Sequence, residues 1–145
     1  HQQSEHLSKQ HNLDEITGPL PERLLTFTQA RCALLFAMAP YRRAVIYQSK
    51  HSAVLAKALA SVREKFRSQV QQCFAVELAL LPSQSAERLY RGLALLYSFS
   101  SFEHLQVHQQ LDAQQISDQL LWQAKVLLKA SFAQAQVVLP LENAL

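Results

Sequence analysis

Apolar positions along the middle of the chain recur with the period of an α-helix. Between residues 52 and 80 they follow one another at steps of three and four, and so lie on one stripe: Leu55, Leu59, Val62, Phe66, Val70 and Cys73. Charged and amide side chains occupy the opposite face. No stretch of the sequence alternates with a period of two residues. The pattern therefore predicts an all-α helical bundle.

Prolines and polar clusters divide the rest of the chain into further helices. We predict five helices, over residues 20–38, 41–48, 52–80, 86–109 and 113–134. The first is expected to stop before Pro40. Ser83 or Ser85 can cap the fourth, and Asp112 with Gln115 forms a variant capping box for the last. Residues 1–19 are expected to form a polar arm or the remnant of a linker helix, and residues 20–134 the domain. Residues 135–145 are expected to form a C-terminal tail that is loose after Pro140.

The last two predicted helices carry more apolar side chains than one buried face requires. The first stripe consists of Leu89, Leu93, Leu96, Ser100, Ile116, Leu120, Ala124 and Leu127. A second, about 100° away on the helical wheel, consists of Leu95, Phe99, Phe102, Leu121, Leu128 and Phe132.

Burying each large apolar side chain stabilises a fold by ~1.5–3 kcal/mol. We therefore expect both stripes to pack against other apolar residues. We expect these helices from two copies to form an intermolecular four-helix bundle, with the first stripe at the interface. The alternative is a larger core within one chain, covered by the N-terminal arm.

The amino-acid composition and net charge limit the classes of protein to which the chain can belong. Hydrophobic residues make up 49% of the 145 residues and charged residues 17%, which is typical of a globular domain. A net charge of +3 does not by itself indicate nucleic-acid binding. No uncharged run approaches the ~18 residues of a membrane span, and no signal peptide pattern is present. We therefore expect a cytoplasmic protein without membrane contact. The chain begins with His1, so we expect a fragment or a processed chain.

Motifs for catalysis and metal binding do not occur in the sequence. Gly-x-Ser-x-Gly, His-Glu-x-x-His, Cys-x-x-Cys and glycine-rich phosphate loops are all missing, and the chain has only two glycines. Cys32 and Cys73 are expected to be buried free thiols. His104 and His108 share a helix face without a third ligand, and we expect them to be exposed or to face a partner chain. We predict no enzyme activity, no cofactor and no metal.

Two charged residues fall on apolar stripes of the predicted helices. Arg31 lies within the apolar face of the first helix, and Glu103 lies on a stripe of the fourth. Because a buried guanidinium needs a partner, we predict that the two form an ion pair. The alternatives are that Arg31 faces a pocket and binds an acidic effector, or that it extends to the surface. Arg42 and Arg43 are expected to form a surface dyad.

Four segments occur in an order that resembles one known family. Pro-Tyr-Arg-Arg-Ala at residues 40–44 follows the helix that contains Arg31, and a long helix closes on Phe-Ala-Val-Glu-Leu at 74–78. Leu-Tyr-Ser-Phe-Ser-Ser-Phe-Glu-His-Leu then spans 96–105, and Leu-Asp-Ala-Gln-Gln opens the last helix at 111–115. Over residues 20–132 this resembles the C-terminal half of a TetR-family transcriptional regulator.

The resemblance implies a homodimer with a pocket for a small, often hydrophobic effector. We expect these side chains to line the pocket: Arg31, Leu35, Met38, Phe66, Val70, Phe99 and Glu103. The N-terminal helix-turn-helix domain of the family, which reads the major groove, has no counterpart in this sequence. The resemblance thus implies a repressor whose DNA-binding domain is missing here. The alternative is a helical adaptor that binds another protein and no small molecule.

Overall fold

The computed structural model describes Leu13 and residues 16–140. Most of the predicted arm, and the end of the predicted tail, lie outside this part. The described residues form helices and no strand, which confirms the all-α prediction. The helices are α1 (Leu20–Ser49), α2 (Ala53–Cys73), α3 (Ala75–Leu80), α4 (Ser83–Leu96), α5 (Phe99–Glu103), a π-helical turn (His104–His108) and α6 (Ala113–Ala135). No helix among them is long and apolar enough to cross a membrane.

Helix α1 runs through Pro40 without a break, so the predicted stop before this residue is wrong. A proline inside a helix removes one backbone hydrogen bond and disfavours helical geometry in the residue before it. The buried side chains Met38, Ala39 and Arg42 flank Pro40, whose own ring is exposed. Packing of α1 against α2 and α6 holds both halves in line, and this tertiary packing outweighs the local cost.

Two predicted long helices are each broken by a buried aromatic residue. The helix predicted over 52–80 ends at Phe74, and the one predicted over 86–109 ends at Tyr97. Ser98 then caps α5 by accepting a hydrogen bond from the Ser101 amide at 3.2 Å. Neither Ser83 nor Ser85 caps α4, because Pro82 takes that position without a side-chain bond. The capping box at the start of α6 is confirmed, with Asp112 and Gln115 bonded in both directions.

Both apolar stripes of the last two predicted helices lie largely inside the chain. Of the eight side chains assigned to a partner interface, six are buried: Leu89, Leu93, Leu96, Ile116, Leu120 and Ala124. Ser100 is exposed and Leu127 is half-buried. The assignment of the six buried side chains to the interface is therefore wrong. The reason is that α6 packs against both α1 and α4 of its own chain, so one core covers both stripes.

A smaller apolar surface remains open beside this core. Leu95 on α4 is 67% exposed, and Trp122 and Val126 on α6 are 61% and 45% exposed. Together with Gly92 and Leu127 they line one shallow cavity, which we call the α4–α6 face.

A buried ion pair joins α1 to α3. Arg23 Nη1 and Nη2 donate to the two carboxylate oxygens of Glu77 at 2.6 and 2.9 Å, and Nη1 also donates to the Cys73 carbonyl. The hydrogen bond with Glu77 is the main cause that raises the pKa of Arg23. Such a bidentate pair stabilises the fold only while both partners remain, because either charge alone would be buried without its counterion.

We predict that Glu77→Ala lowers the free energy of unfolding by about 3 kcal/mol, because it leaves the Arg23 guanidinium buried and unpaired. Glu64→Ala is the matched control, since Glu64 pairs with Arg67 at the exposed surface of α2. That change should cost less than about 0.5 kcal/mol. Urea denaturation followed by circular dichroism measures both. Equal losses in the two variants would contradict a structural role for the buried pair.

Candidate ligand-binding site

Arg31 is fully buried but does not pair with Glu103, so the predicted ion pair is wrong. Its side chain is 1% exposed and donates to three neutral oxygens: the carbonyls of Tyr97 (2.8 Å) and Phe66 (3.2 Å) and Gln69 Oε1 (2.8 Å). Burial lowers the pKa of Arg31 to about 9. Glu103 accepts a hydrogen bond from Arg43 at 2.8 Å instead. The break at Tyr97 places Glu103 on a separate short helix, off the stripe that a straight helix would give it.

Two arginines of α1 and three phenylalanine rings form one stack. The Arg31 Cζ atom lies 5.1 Å from the centre of the Phe27 ring and 4.2 Å from that of Phe66. The Arg42 Cζ atom lies 5.1 Å from the Phe66 ring and 5.0 Å from the Phe99 ring. Arg31 and Arg42 are about three helical turns apart, which puts them on one face of α1. Phe66 therefore contacts both guanidinium groups, and we call these five residues the arginine–aromatic stack.

Arg42 differs from Arg31 because it has no oxygen partner. The residue is only 5% exposed, and its Nε and Nη1 atoms are shielded from solvent and donate no hydrogen bond to any described residue. Burial, and then the positive charge of Arg63, lower the pKa of Arg42 to about 10. Arg42 is thus a buried cation rather than part of the surface dyad that was predicted. Contacts with aromatic faces offset only part of the cost of desolvating it.

Arg42 lines a groove of about 400 Å³ between α1, α2, α4 and α5, which we call the arginine groove. Three more arginines line it, together with aromatic, aliphatic and hydroxyl side chains: Arg63, Arg67, Arg91, Phe66, Phe99, Tyr90, Ile46, Ala94, Leu95, Ser98 and Ser100. No acidic side chain of the described residues is part of the lining.

The four arginines of the groove are not equivalent. Arg67 pairs with Glu64, and Arg91 lies 3.6 Å from Glu87, so neighbours on their own helices offset these two charges. Arg42 and Arg63 have no ion pair with any residue in the described part of the chain. The uncompensated positive charge of the groove therefore belongs to these two side chains, one on α1 and one on α2.

A second groove, of about 300 Å³, lies between the second half of α1 and the first half of α2. Its lining is apolar except for Arg42 and the tyrosine hydroxyl: Met38, Tyr41, Val45, Val54, Leu55, Ala58, Leu59 and Val62. We call it the apolar groove. Arg42 lines both grooves, so one buried cation stands between an arginine-rich surface and an apolar one.

The predicted pocket residues are divided among three places. Phe66 and Phe99 line the arginine groove, and Met38 lines the apolar groove. Leu35 and Val70 lie in the closed core, and Arg31 is enclosed by its oxygen partners. These three are therefore not placed to contact a ligand in either groove, and neither is Glu103.

Arg42 and Arg63 were not predicted as site residues. The spacing of Arg31 and Arg42 contained the signal for one of them, because a continuous helix would have put both on one face. Because the helix was predicted to stop before Pro40, Arg31 and Arg42 were assigned to two different helices.

The two histidines and the two cysteines do not form a site. His104 and His108 are both exposed, with ring centres 5.6 Å apart, and Cys32 and Cys73 are buried free thiols. Burial raises the pKa of the Cys32 thiol to about 11 and that of Cys73 to about 12, which keeps both protonated near neutral pH. Among the residues that the structure describes, no three His, Cys, Asp or Glu side chains are grouped as metal ligands.

We predict that two similar substitutions in the arginine–aromatic stack have different effects on the free energy of unfolding. Arg42→Met should leave the free energy of unfolding unchanged or raise it by up to about 1 kcal/mol, because it removes a buried charge that has no oxygen partner. Arg31→Met should lower it by about 3 kcal/mol, because the buried carbonyl of Tyr97 and the side-chain oxygen of Gln69 lose the donor that Arg31 provides. Urea denaturation of both variants measures the contrast. A large loss in Arg42→Met would show that Arg42 supports the fold rather than a ligand.

Comparison with known proteins gives no independent identification of this site. No family model, no curated protein and no solved structure matches the chain. The function is therefore inferred from the geometry of the arginine groove and of the α4–α6 face.

Proposed function

We propose that the chain is the ligand-sensing and dimerisation domain of a transcriptional regulator of the TetR type. The observation that carries this proposal is the arginine groove, with the buried and unpartnered Arg42 in its wall. A buried cation without a partner weakens a fold, and such unfavourable groups concentrate at binding and catalytic sites. The volume of the groove lies in the range of small-molecule sites. A small effector that supplies the missing partner would explain why Arg42 is there.

The α4–α6 face supports the proposed homodimer. Leu95, Trp122 and Val126 lie on α4 and α6, which belong to the two predicted helices that we expect to form the dimer interface. They are different side chains from the first stripe, which the chain's own core buries. Two copies that join these faces would place four helices together as an intermolecular bundle.

One side chain connects the two surfaces. Leu95 lines the arginine groove and also the α4–α6 face. A ligand that bridges α1, α2 and α4 would favour one position of α4, and with it one arrangement of the two subunits. In the proposed regulator this change alters the spacing of two attached helix-turn-helix domains, and therefore their affinity for operator DNA. The ligand must bind one arrangement more tightly than the other.

The same exposed face also favours a second candidate function. Tryptophan and neighbouring aliphatic side chains are typical of the central contacts in protein–protein interfaces. A helical adaptor would use the α4–α6 face for a different protein rather than for a second copy. The two functions differ in the oligomeric state of the isolated chain.

We predict that the purified chain is a dimer at micromolar concentration, with twice the 16.4 kDa mass of the chain. Val126→Glu should convert it into a monomer, because it places a charge within the apolar interface. Val76→Glu is the matched control, since Val76 is 62% exposed on α3, outside this face. Size-exclusion chromatography with light scattering measures all three masses.

A monomeric parent chain would contradict the proposed homodimer and favour the adaptor. A dimer that survives Val126→Glu would place the interface elsewhere on the surface.

A further inference from the structure

We infer that the ligand of the arginine groove is a small organic carboxylate with an apolar body, held by Arg42 and Arg63. This inference rests on the proposed ligand-binding function and names the chemical class of the ligand. The charge of the groove, its apolar lining and the state of its hydroxyl groups each support one part of the inference.

The positive charges of Arg42 and Arg63 favour an anionic ligand. Arg42 is buried and Arg63 is close enough to lower its pKa, so the two positive charges of the groove repel each other. No carboxylate of the described residues lines the groove to separate them. A bound anion would be attracted to both guanidinium groups and would offset the positive charge of each. A neutral ligand of the same shape would leave both charges uncompensated.

The hydroxyl groups of the lining favour a carboxylate over a phosphate. Ser98 already donates to the Leu95 carbonyl at 2.7 Å, and Tyr90 donates to the Arg67 carbonyl at 3.4 Å. These two hydroxyl groups therefore have no proton left for a ligand, and the arginines are the main donors of the groove. A phosphate group presents several strongly solvated oxygens and at neutral pH carries up to two charges. A carboxylate has two oxygens and one charge, which two arginines can satisfy.

The aromatic and aliphatic side chains of the groove favour a ligand whose other end is apolar. Phe66 and Phe99 contact the guanidinium of Arg42, and Ile46 and Leu95 extend the apolar lining of the same groove. Arg42 also borders the apolar groove. A hydrocarbon chain that leaves a carboxylate at Arg42 would meet apolar side chains in either groove, and burying it there is favourable.

The experiment is isothermal titration calorimetry of the full chain with octanoate, 1-octanol and inorganic phosphate. We expect one octanoate to bind per chain, and 1-octanol and phosphate to bind at least about tenfold more weakly. Arg42→Gln and Arg63→Gln should each weaken octanoate binding by about tenfold or more. Arg88→Gln is the matched control, because Arg88 is an exposed arginine of α4 outside the groove lining. It should change the affinity by less than about twofold.

Each contrary result has a separate meaning. Equal affinity for octanoate and 1-octanol would overturn the anionic class but leave the proposed ligand-binding function in place. Octanoate binding that neither Arg42→Gln nor Arg63→Gln weakens would overturn the site, and tighter binding of phosphate would overturn the apolar body. Binding of none of the three probes would overturn the inference, while the dimer measurement tests the regulator independently. Arg63 is exposed, so Arg63→Gln tests the site even where Arg42→Gln does not fold.

Discussion

The buried guanidinium of Arg31 joins three helices through oxygens that carry no formal charge. A helix leaves its last carbonyl groups without partners, and α4 ends at Tyr97, whose carbonyl accepts from Arg31. The other two acceptors, at Phe66 and Gln69, lie on α2. Neutral dipoles compensate a buried charge only when several are in place together. Arg31 therefore links α1 both to α2 and to the break after α4.

The arginine–aromatic stack extends this arrangement toward the surface. Phe66 shares its ring between Arg31 and Arg42, so the residue that supports the core also supports the wall of the arginine groove. Three oxygens of the chain accept hydrogen bonds from Arg31 Nη1 and Nη2, and only its Nε lacks a partner among the described residues. Arg42 has no oxygen partner, and its Nε and Nη1 are both buried without one. The same residue type on the same helix face thus has two roles. Arg31 bridges the helices, and Arg42 lines the groove in which we propose that a ligand binds.

Local chemistry was enough to predict several features of the fold. The period of the apolar positions gave the all-α class, and the side chains of Asp112 and Gln115 were sufficient to locate the start of α6. Pro40 could not be interpreted in this way, because contacts distant in sequence decide whether a helix continues through it. Packing around Met38, Ala39 and Arg42 outweighs a loss that sequence reasoning treats as decisive.

The same limit applies to the site and to the interface. The predicted position of Glu103 assumed one straight helix over residues 86–109. Because the helix breaks at Tyr97, Glu103 lies on the next helix and does not reach Arg31. The two apolar stripes were recognised, but a stripe does not show whether its neighbour belongs to the same chain. Because α6 touches both α1 and α4, the core of one chain buries most of both stripes. The side chains left for a partner, Leu95, Trp122 and Val126, are therefore fewer than the sequence suggested.

The state of the Arg42 guanidinium is the most direct test of its role. Nitrogen-15 NMR observes the Nε–Hε group of each arginine, and the loss of a signal in Arg42→Gln assigns the resonance of Arg42. We predict that octanoate shifts this resonance saturably while the resonance of Arg23, already bound to Glu77, stays in place. An Arg42 resonance that does not respond to octanoate, or that responds equally to 1-octanol, would contradict the proposal that Arg42 binds an anionic ligand.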